Sequence, residues 1–233
     1  MQIFYTPDIS GIEYFLNEEE SKHAIKVLRM NINDEILMID GKGTLYKAVI
    51  ADANPKKCRV IVIDTKPEFQ KRNYKLHIAI SPVKNPDRFE WFLEKATEIG
   101  IDEISPLLCD RTEKKNINIE RYNRILESAM KQSINAYHPK INPLVKFNNF
   151  ISACICENKI IATCEGDRKS LRSVNIPGSE ILILIGPEGD FTENEINIAK
   201  SNNFIPVSLG TGRFRTETAG LIACHTISLL NSL

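Results

Sequence analysis

The sequence predicts an α/β protein: a mostly parallel sheet covered by helices, preceded by a small β-barrel domain. Three observations carry this prediction. Up to about residue 72 apolar residues alternate at period two around a glycine-rich turn. From Lys75 onward short apolar runs alternate with segments of helical period. Between them TKPEFQKRNYK, Thr65 to Lys75, is polar, charged and contains a proline, as a linker would be. The expected domains are therefore residues 1–72 and 73–233.

In the first domain, SKHAIKVLRM places Ala24, Val27 and Leu28 at helical spacing, with Lys22, Lys26 and Arg29 on the other side. That basic face reads either as a solvated helix surface or as an RNA-facing patch. DEILMIDGKGTLYKAVIADA is two alternating strands around Asp40-Gly41-Lys42-Gly43, a hairpin signal, and CRVIVID supplies a third strand, so a small barrel is the expected closure.

The second domain opens with the strand LHIAISP. NPDRFEWFLEKATEIG follows as a helix, with Asn85 before Pro86 at its start and Gly100 at its stop. Then come IDEISPLL (strand), IERYNRILESAMKQSINAY (helix), FISACICEN (helix), KIIATCEG (strand), EILILIG (strand), TENEINIAKSNN (helix), IPVSLG (strand) and TAGLIACHTISLLNSL (helix). The unbroken apolar run Ile181 to Ile185 suits a strand covered on both faces of a parallel sheet.

A chain of 233 residues with 42% hydrophobic and 26% charged residues can bury a core and is far from the composition of disorder. Lys plus Arg equals Asp plus Glu at 30 each, so any nucleic-acid surface must be local. MQIFYTPDIS lacks a secretory pattern and no stretch approaches a membrane span, which reads as a cytoplasmic protein with no membrane partner. The cysteines at 58, 109, 154, 156, 164 and 224 fall in apolar contexts without metal-ligand spacing, so no metal is expected and Cys154 and Cys156 read as reduced, buried thiols.

Gly186-Pro187-Glu188-Gly189-Asp190 follows a buried strand, and Thr192 to Glu195 is a capping-box pattern opening the next helix. A loop there lies at the carboxyl edge of an open sheet, where ligands bind. It has neither the lysine of a Walker loop nor a G-x-G-x-x-G turn. Each of its two carboxylates would repel a phosphate about 5 Å away by roughly 3 kcal/mol at an effective dielectric of about 20. The same sign attracts a cation such as a sulfonium, although a tight turn whose acids favour the helix N-terminus would look alike. A second motif, LGTGRFRTETAG (Leu209 to Gly220), again joins a strand to a helix: Gly210 and Gly212 permit close approach, Thr216 or Thr218 can cap the helix, and Arg213 and Arg215 bring two cations.

These two motifs, with QIFY, HAIKVLRM and DGKG at the front and FLEKATEIGIDEISPL in the middle, resemble the RsmE family of SPOUT methyltransferases over nearly the whole chain. The resemblance implies a PUA-like RNA-binding barrel, then a SPOUT domain with a deep trefoil knot at about residues 160–225, acting as a homodimer on N3 of a uridine in 16S ribosomal RNA or the small ribosomal subunit. It also implies S-adenosylmethionine among three loops, on Thr163 and Glu165, on Ile185, Gly186, Glu188 and Gly189, and on Leu209, Gly210, Phe214, Arg215, Thr216, Thr218 and Ala219. The chain departs from the family pattern at Gly212, where an arginine is common and Arg213 falls one place later, and at Asp190, which replaces a second glycine.

For the chemistry, Arg215 and Arg213 are the candidates to stabilise a developing uracil anion or hold a phosphate, and Glu217 is the candidate general base. As a first-turn acid, Glu217 could equally serve the helix dipole. Lys22, Lys26 and Arg29 would add RNA affinity. The alternatives are a SPOUT enzyme acting on another position of transfer or ribosomal RNA, and a non-catalytic RNA-binding protein of ribosome assembly.

Overall fold

The computed structural model describes residues 3–174 and 177–232. Two compact units emerge, one made of the residues up to Lys71 together with Met130–His138, the other of Arg72–Ala129 and the residues from Pro139 onward.

The first unit contains β1 (Ile3–Tyr5), β2 (Glu13–Phe15), α1 (Glu18–Lys22), β3 (Glu35–Ile39), β4 (Leu45–Asp52) and β5 (Arg59–Lys66). The strands form one sheet in the order β1-β3-β4-β5-β2, a PUA-like half-barrel in which β1 runs parallel to β3 and the other pairs are antiparallel. The β3–β4 hairpin turns where the sequence places it: the Asp40 carboxylate accepts the N–H groups of Lys42 (2.8 Å) and Thr44 (3.0 Å). Gly43 has φ +108° and its missing side chain leaves room for Tyr137, whose ring a Cβ would meet at 2.4 Å. The 130–138 segment is further tied to this turn by Gly43 N–H to the Ala136 carbonyl and His138 N–H to the Gly41 carbonyl, both 2.9 Å.

Asn17 caps α1 by accepting the Glu20 N–H, and the chain then enters a π-helical turn, His23–Val27. The extra residue in that turn rotates the following side chains. Ala24 is therefore fully buried as expected, whereas Val27, expected on the same side, is 65% exposed. Lys22, Lys26 and Arg29 are all exposed, Lys22 pairing with Glu18 at 2.7 Å.

The second unit contains β6 (Lys75–Ile80), α2 (Pro86–Ile99), β7 (Glu103–Leu108), most of α3 (Ile119–Gln132), β8 (Lys140–Ile141), β9 (Val145–Lys146), α4 (Phe147–Ala153), β10 (Asn158–Ala162), β11 (Lys169–Ser170), α5 (Leu171–Val174), β12 (Glu180–Ile185), α6 (Glu193–Ser201), β13 (Ile205–Ser208) and α7 (Thr216–Asn231). Its sheet runs β11-β13-β10-β12-β6-β7-β8, with β9 also on β7 and every pair parallel. Helices cover both faces, and β12 shows it residue by residue. Ile181, Ile183 and Ile185 enter one core with Phe89 and Phe92, while Leu182 and Leu184 enter another with Phe147 and Phe191.

Asn85 caps α2 and Gly100 ends it in the left-handed conformation, φ +111°. The helix expected to run to Tyr137 stops at Gln132 instead, and Ile134 just beyond it has φ +57°, which a helix cannot continue through. The strand order has one consequence for function. β13, β10 and β12 are neighbours running the same way, so the three loops that leave their carboxyl ends meet at one edge.

Candidate functional site at the carboxyl edge of the parallel sheet

The three loops enclose a cleft of about 560 Å³ including its open mouth. Ala162 to Cys164 and Arg168 contribute from behind β10, Ile185 to Glu188 and Asp190 from behind β12, and Ser208 to Gly210, Gly212 to Phe214, Thr216 and Ala219 from behind β13. Leu209, Phe214, Ile185 and Ala219 supply apolar surface between polar backbone, the mixture that suits a small organic ligand.

The wall after β12 is fastened along its length. Gly186 lies against Phe191, whose ring a Cβ would meet at 3.0 Å, and its carbonyl accepts the buried Thr216 hydroxyl at 3.0 Å. Glu188 accepts the Lys84 N–H at 3.1 Å. Arg111, from the loop after β7, donates to the Gly189 carbonyl at 2.6 Å and covers the glycine, so that a Cβ there would meet its side chain at 3.2 Å. The predicted capping box is present: Thr192 accepts the Glu195 N–H, and Glu195, 2% exposed, accepts the Thr192 N–H at 2.8 Å and the Asp110 N–H at 2.9 Å.

The wall after β13 is different. Gly210 through Arg215 are all exposed, and the turn is held by Ser208, whose hydroxyl donates to the Gly210 carbonyl at 2.7 Å. Neither Thr216 nor Thr218 caps α7. Arg215 occupies the N-cap position without a side-chain cap, because Thr216 is already helical and its hydroxyl is committed to Gly186 across the cleft.

Most of the sequence-predicted residues come together here: Thr163, Ile185, Gly186, Glu188, Leu209, Gly210, Arg213, Phe214, Thr216 and Ala219 line the cleft. Glu165 and Gly189 border an adjoining depression shared with Arg213. Thr218 is half-buried in the first turn of α7, and Arg215 is exposed at its N-cap and does not line the cleft. Glu217 is 6% exposed and lies 3.9 Å from the Arg88 guanidinium of α2, away from the cleft lining.

Sequence reasoning missed Arg111, Arg168 and Arg88. All three are single basic residues on loops or helix faces; Arg111 and Arg88 meet partners far along the chain, and Arg168 reaches a backbone carbonyl five residues back, so no side-chain spacing marks them. Arg168 donates to the Thr163 carbonyl at 2.9 Å and lines the cleft. With Arg213 it offsets the charges of Glu188 and Asp190, so the cleft suits a ligand carrying both signs and not a simple cation. Cys164 is exposed and lines the cleft, unlike the apolar setting expected for it, and burial with the nearby Asp190 charge raises its pKa above the usual thiol value. Cys154 and Cys156 are half-buried and free, and no group of three or more metal-ligating side chains occurs among the described residues. No helix among them is long and apolar enough to cross a membrane.

Comparison with known proteins agrees with this architecture. The RNA methyltransferase domain family matches residues 70–228, and the RNA methyltransferase PUA domain family matches residues 16–63. The chain is 32% identical to the ribosomal RNA small subunit methyltransferase E of Buchnera aphidicola, covering 93% of this chain and 88% of that protein. Among solved structures, a probable rRNA-methyltransferase from Porphyromonas gingivalis superposes with TM-score 0.93 at 38% identity over 100% of this chain and 99% of that one. The Neisseria gonorrhoeae ribosomal RNA small subunit methyltransferase E, solved bound to S-adenosyl methionine, superposes with TM-score 0.90 at 26% identity over 99% and 98%. A half-barrel followed by a parallel sheet whose three edge loops close one cleft is thus matched in sequence and in shape, and the chain belongs to the ribosomal RNA small subunit methyltransferase E family of RNA methyltransferases.

Proposed function

We propose that the protein methylates N3 of a uridine in 16S ribosomal RNA, with S-adenosylmethionine held in the cleft of the second unit. The observation that carries this reading is the convergence of three loops on one cleft that offers apolar walls, backbone hydrogen-bonding groups and both charge signs. Those residues fit the donor: its adenosine has apolar faces and polar edges, and its methionine end carries an ammonium, a carboxylate and a sulfonium. When bound, the donor supplies an already activated methyl group, so no metal is needed.

The chain's own work is orientation and proton handling. Gly186 and Gly210 contribute backbone to the cleft, each letting an aromatic ring pack against it, and Leu209 and Phe214 offer the ligand apolar cover. The uridine must lose its N3 proton before the nitrogen lone pair can displace sulfur from the methyl carbon in line. Arg213, which lines the cleft, and Arg215, the exposed residue that opens α7, are the candidates to hold the negative charge this leaves on uracil or an adjacent phosphate. Glu217 is the candidate base; it lies outside the cleft lining with Arg88 beside it, so it would take the proton through an intervening water. A base contributes about 100- to 10,000-fold, so Glu217→Gln should cut turnover by at least ~100-fold at saturating donor and RNA. An unchanged turnover with a lowered melting temperature would leave Glu217 a structural acid.

The same reading includes a homodimer, a cytoplasmic location, an RNA-gripping role for Lys22, Lys26 and Arg29, and the knotted path. The last is supported by α7: β13, which leads into it, lies beyond β10 and β12 from β6, yet Gly220 of α7 abuts Ile80 of β6 and Phe92 of α2. The test is calorimetric titration with S-adenosylmethionine and with ATP, then mapping of methylated uridines in small-subunit RNA. Binding of the first ligand alone and a single methylated uridine are expected. Binding of neither would favour an RNA-binding protein without catalysis.

A further inference from the structure

We infer that Asp190 is a positioning residue that fixes the opening of the methyl-donor cleft by joining two of its loops; the identity of the donor rests on the proposed function, whereas the joint does not. Asp190 sits in the left-handed region, φ +62°, at the end of the wall after β12. A side chain is seldom placed there, since glycine occupies that region at lower cost.

The geometry shows what the carboxylate does in return. Its Oδ2 accepts the Cys164 N–H at 2.7 Å and the Thr163 hydroxyl at 3.2 Å, both on the loop after β10. Its Oδ1 accepts the N–H of Phe191 at 2.7 Å, and its own N–H donates to the Pro187 carbonyl at 2.9 Å, closing the turn that aims the side chain. Three donors therefore converge on two acceptor oxygens, and Thr163, Cys164 and Asp190 all line the cleft. An asparagine has only one acceptor oxygen, and its amide nitrogen would face another donor. Asp190 is thus placed to set the distance between two walls of the cleft without itself reacting.

Asp190→Asn and Asp190→Gly remove this joint in opposite ways, because glycine relieves the left-handed backbone while asparagine keeps a side chain of the same size. Two readouts decide. In ligand-free protein with nitrogen-labelled cysteine, exchange of the Cys164 amide should quicken at least ~10-fold in both variants, while amides of β12 such as Ile183 keep their protection. In binding and kinetics, the S-adenosylmethionine Kd and KM should rise ~10-fold with kcat within about twofold at saturating donor, the pattern of a lost positioning contact.

Unchanged Cys164 exchange in both variants would overturn the joint. Faster exchange with unaltered donor affinity would overturn its role in the cleft, and a fall in kcat as large as the rise in KM would mean that Asp190 acts in the chemical step. If the wild-type protein bound no S-adenosylmethionine, the proposed function would fail by itself, and the exchange measurement would still decide whether the joint exists.

Discussion

The two walls that face each other across the cleft are built on unlike principles. Behind β12, Gly186, Glu188, Gly189 and Asp190 are each held by a partner from elsewhere in the fold: Thr216, Lys84, Arg111 and the Thr163–Cys164 loop. Behind β13, Gly210 to Arg215 are exposed throughout and rest on a short Ser208 turn. A pre-set wall recognises a ligand at little entropic cost, whereas an exposed one must be ordered when something binds. The first wall is set before any ligand arrives, and the second, which carries Arg213 and Arg215, would be ordered on binding.

Disturbing the fastened wall should cost most. Gly186→Val drives a branched side chain into Phe191, where even a Cβ stands 3.0 Å from the ring. Overpacking of this kind costs about 1–3 kcal/mol, so we expect the melting temperature to fall by several degrees and donor affinity by roughly 30- to 100-fold, measured by calorimetry. Next in size is Thr216→Val, which keeps the shape and leaves the Gly186 carbonyl without its donor. A loss of about 1–2 kcal/mol in stability is expected in denaturant unfolding, together with a donor Kd raised ~10-fold.

The open wall should respond in the opposite manner. Arg213→Ala should leave the unfolding midpoint within about 0.5 kcal/mol of wild type, as for other exposed substitutions, and lower methylation of RNA ~10-fold at saturating donor. Equal losses of stability at Gly186 and Arg213 would erase the distinction between the walls.

The smallest effect lies away from the cleft, on β6. Burial holds the half-buried His77 below its usual pKa of 6.5, with Glu103 opposing and Lys140 adding to that shift. The folded state therefore favours neutral His77, which bonds Ser105 at 2.8 Å. This contribution is complete above pH 6.5 and is lost as the pH falls below that, because the unfolded chain then takes up the proton first. Its slope is at most one proton, about 1.4 kcal/mol per pH unit, and His77→Gln should remove it from a series of unfolding curves between pH 7 and 5.

Much of this site could be seen in the sequence because its key turns are local. Asn85, Gly100, the hairpin at Asp40 and the Thr192–Glu195 capping box all act within four residues or end an apolar period, and each is found where the pattern puts it. The loops after β12 and β13 were visible for the same reason. What escaped is what depends on residues far apart in the chain. Arg111 reaches a glycine 78 positions on, and Asp190 reaches back 26 positions to the Cys164 N–H. The π-helical turn at His23–Val27 escaped as well, since a period of 3.6 placed Val27 on the buried side. Family resemblance supplied the cofactor and the target base, which no spacing of residues specifies.

The half-barrel is completed late in the chain. Met130–His138 belongs to the first unit, and its Met130 and Ala136 pack with Ile3, Ile39 and Leu45 while Tyr137 fills the space left at Gly43. When residue 71 leaves the ribosome, these apolar side chains still lack part of their cover, and at synthesis rates of about 5–20 residues per second it arrives several seconds later. During that interval those apolar side chains stay exposed, and a fragment ending at residue 71 should be less soluble than the whole chain.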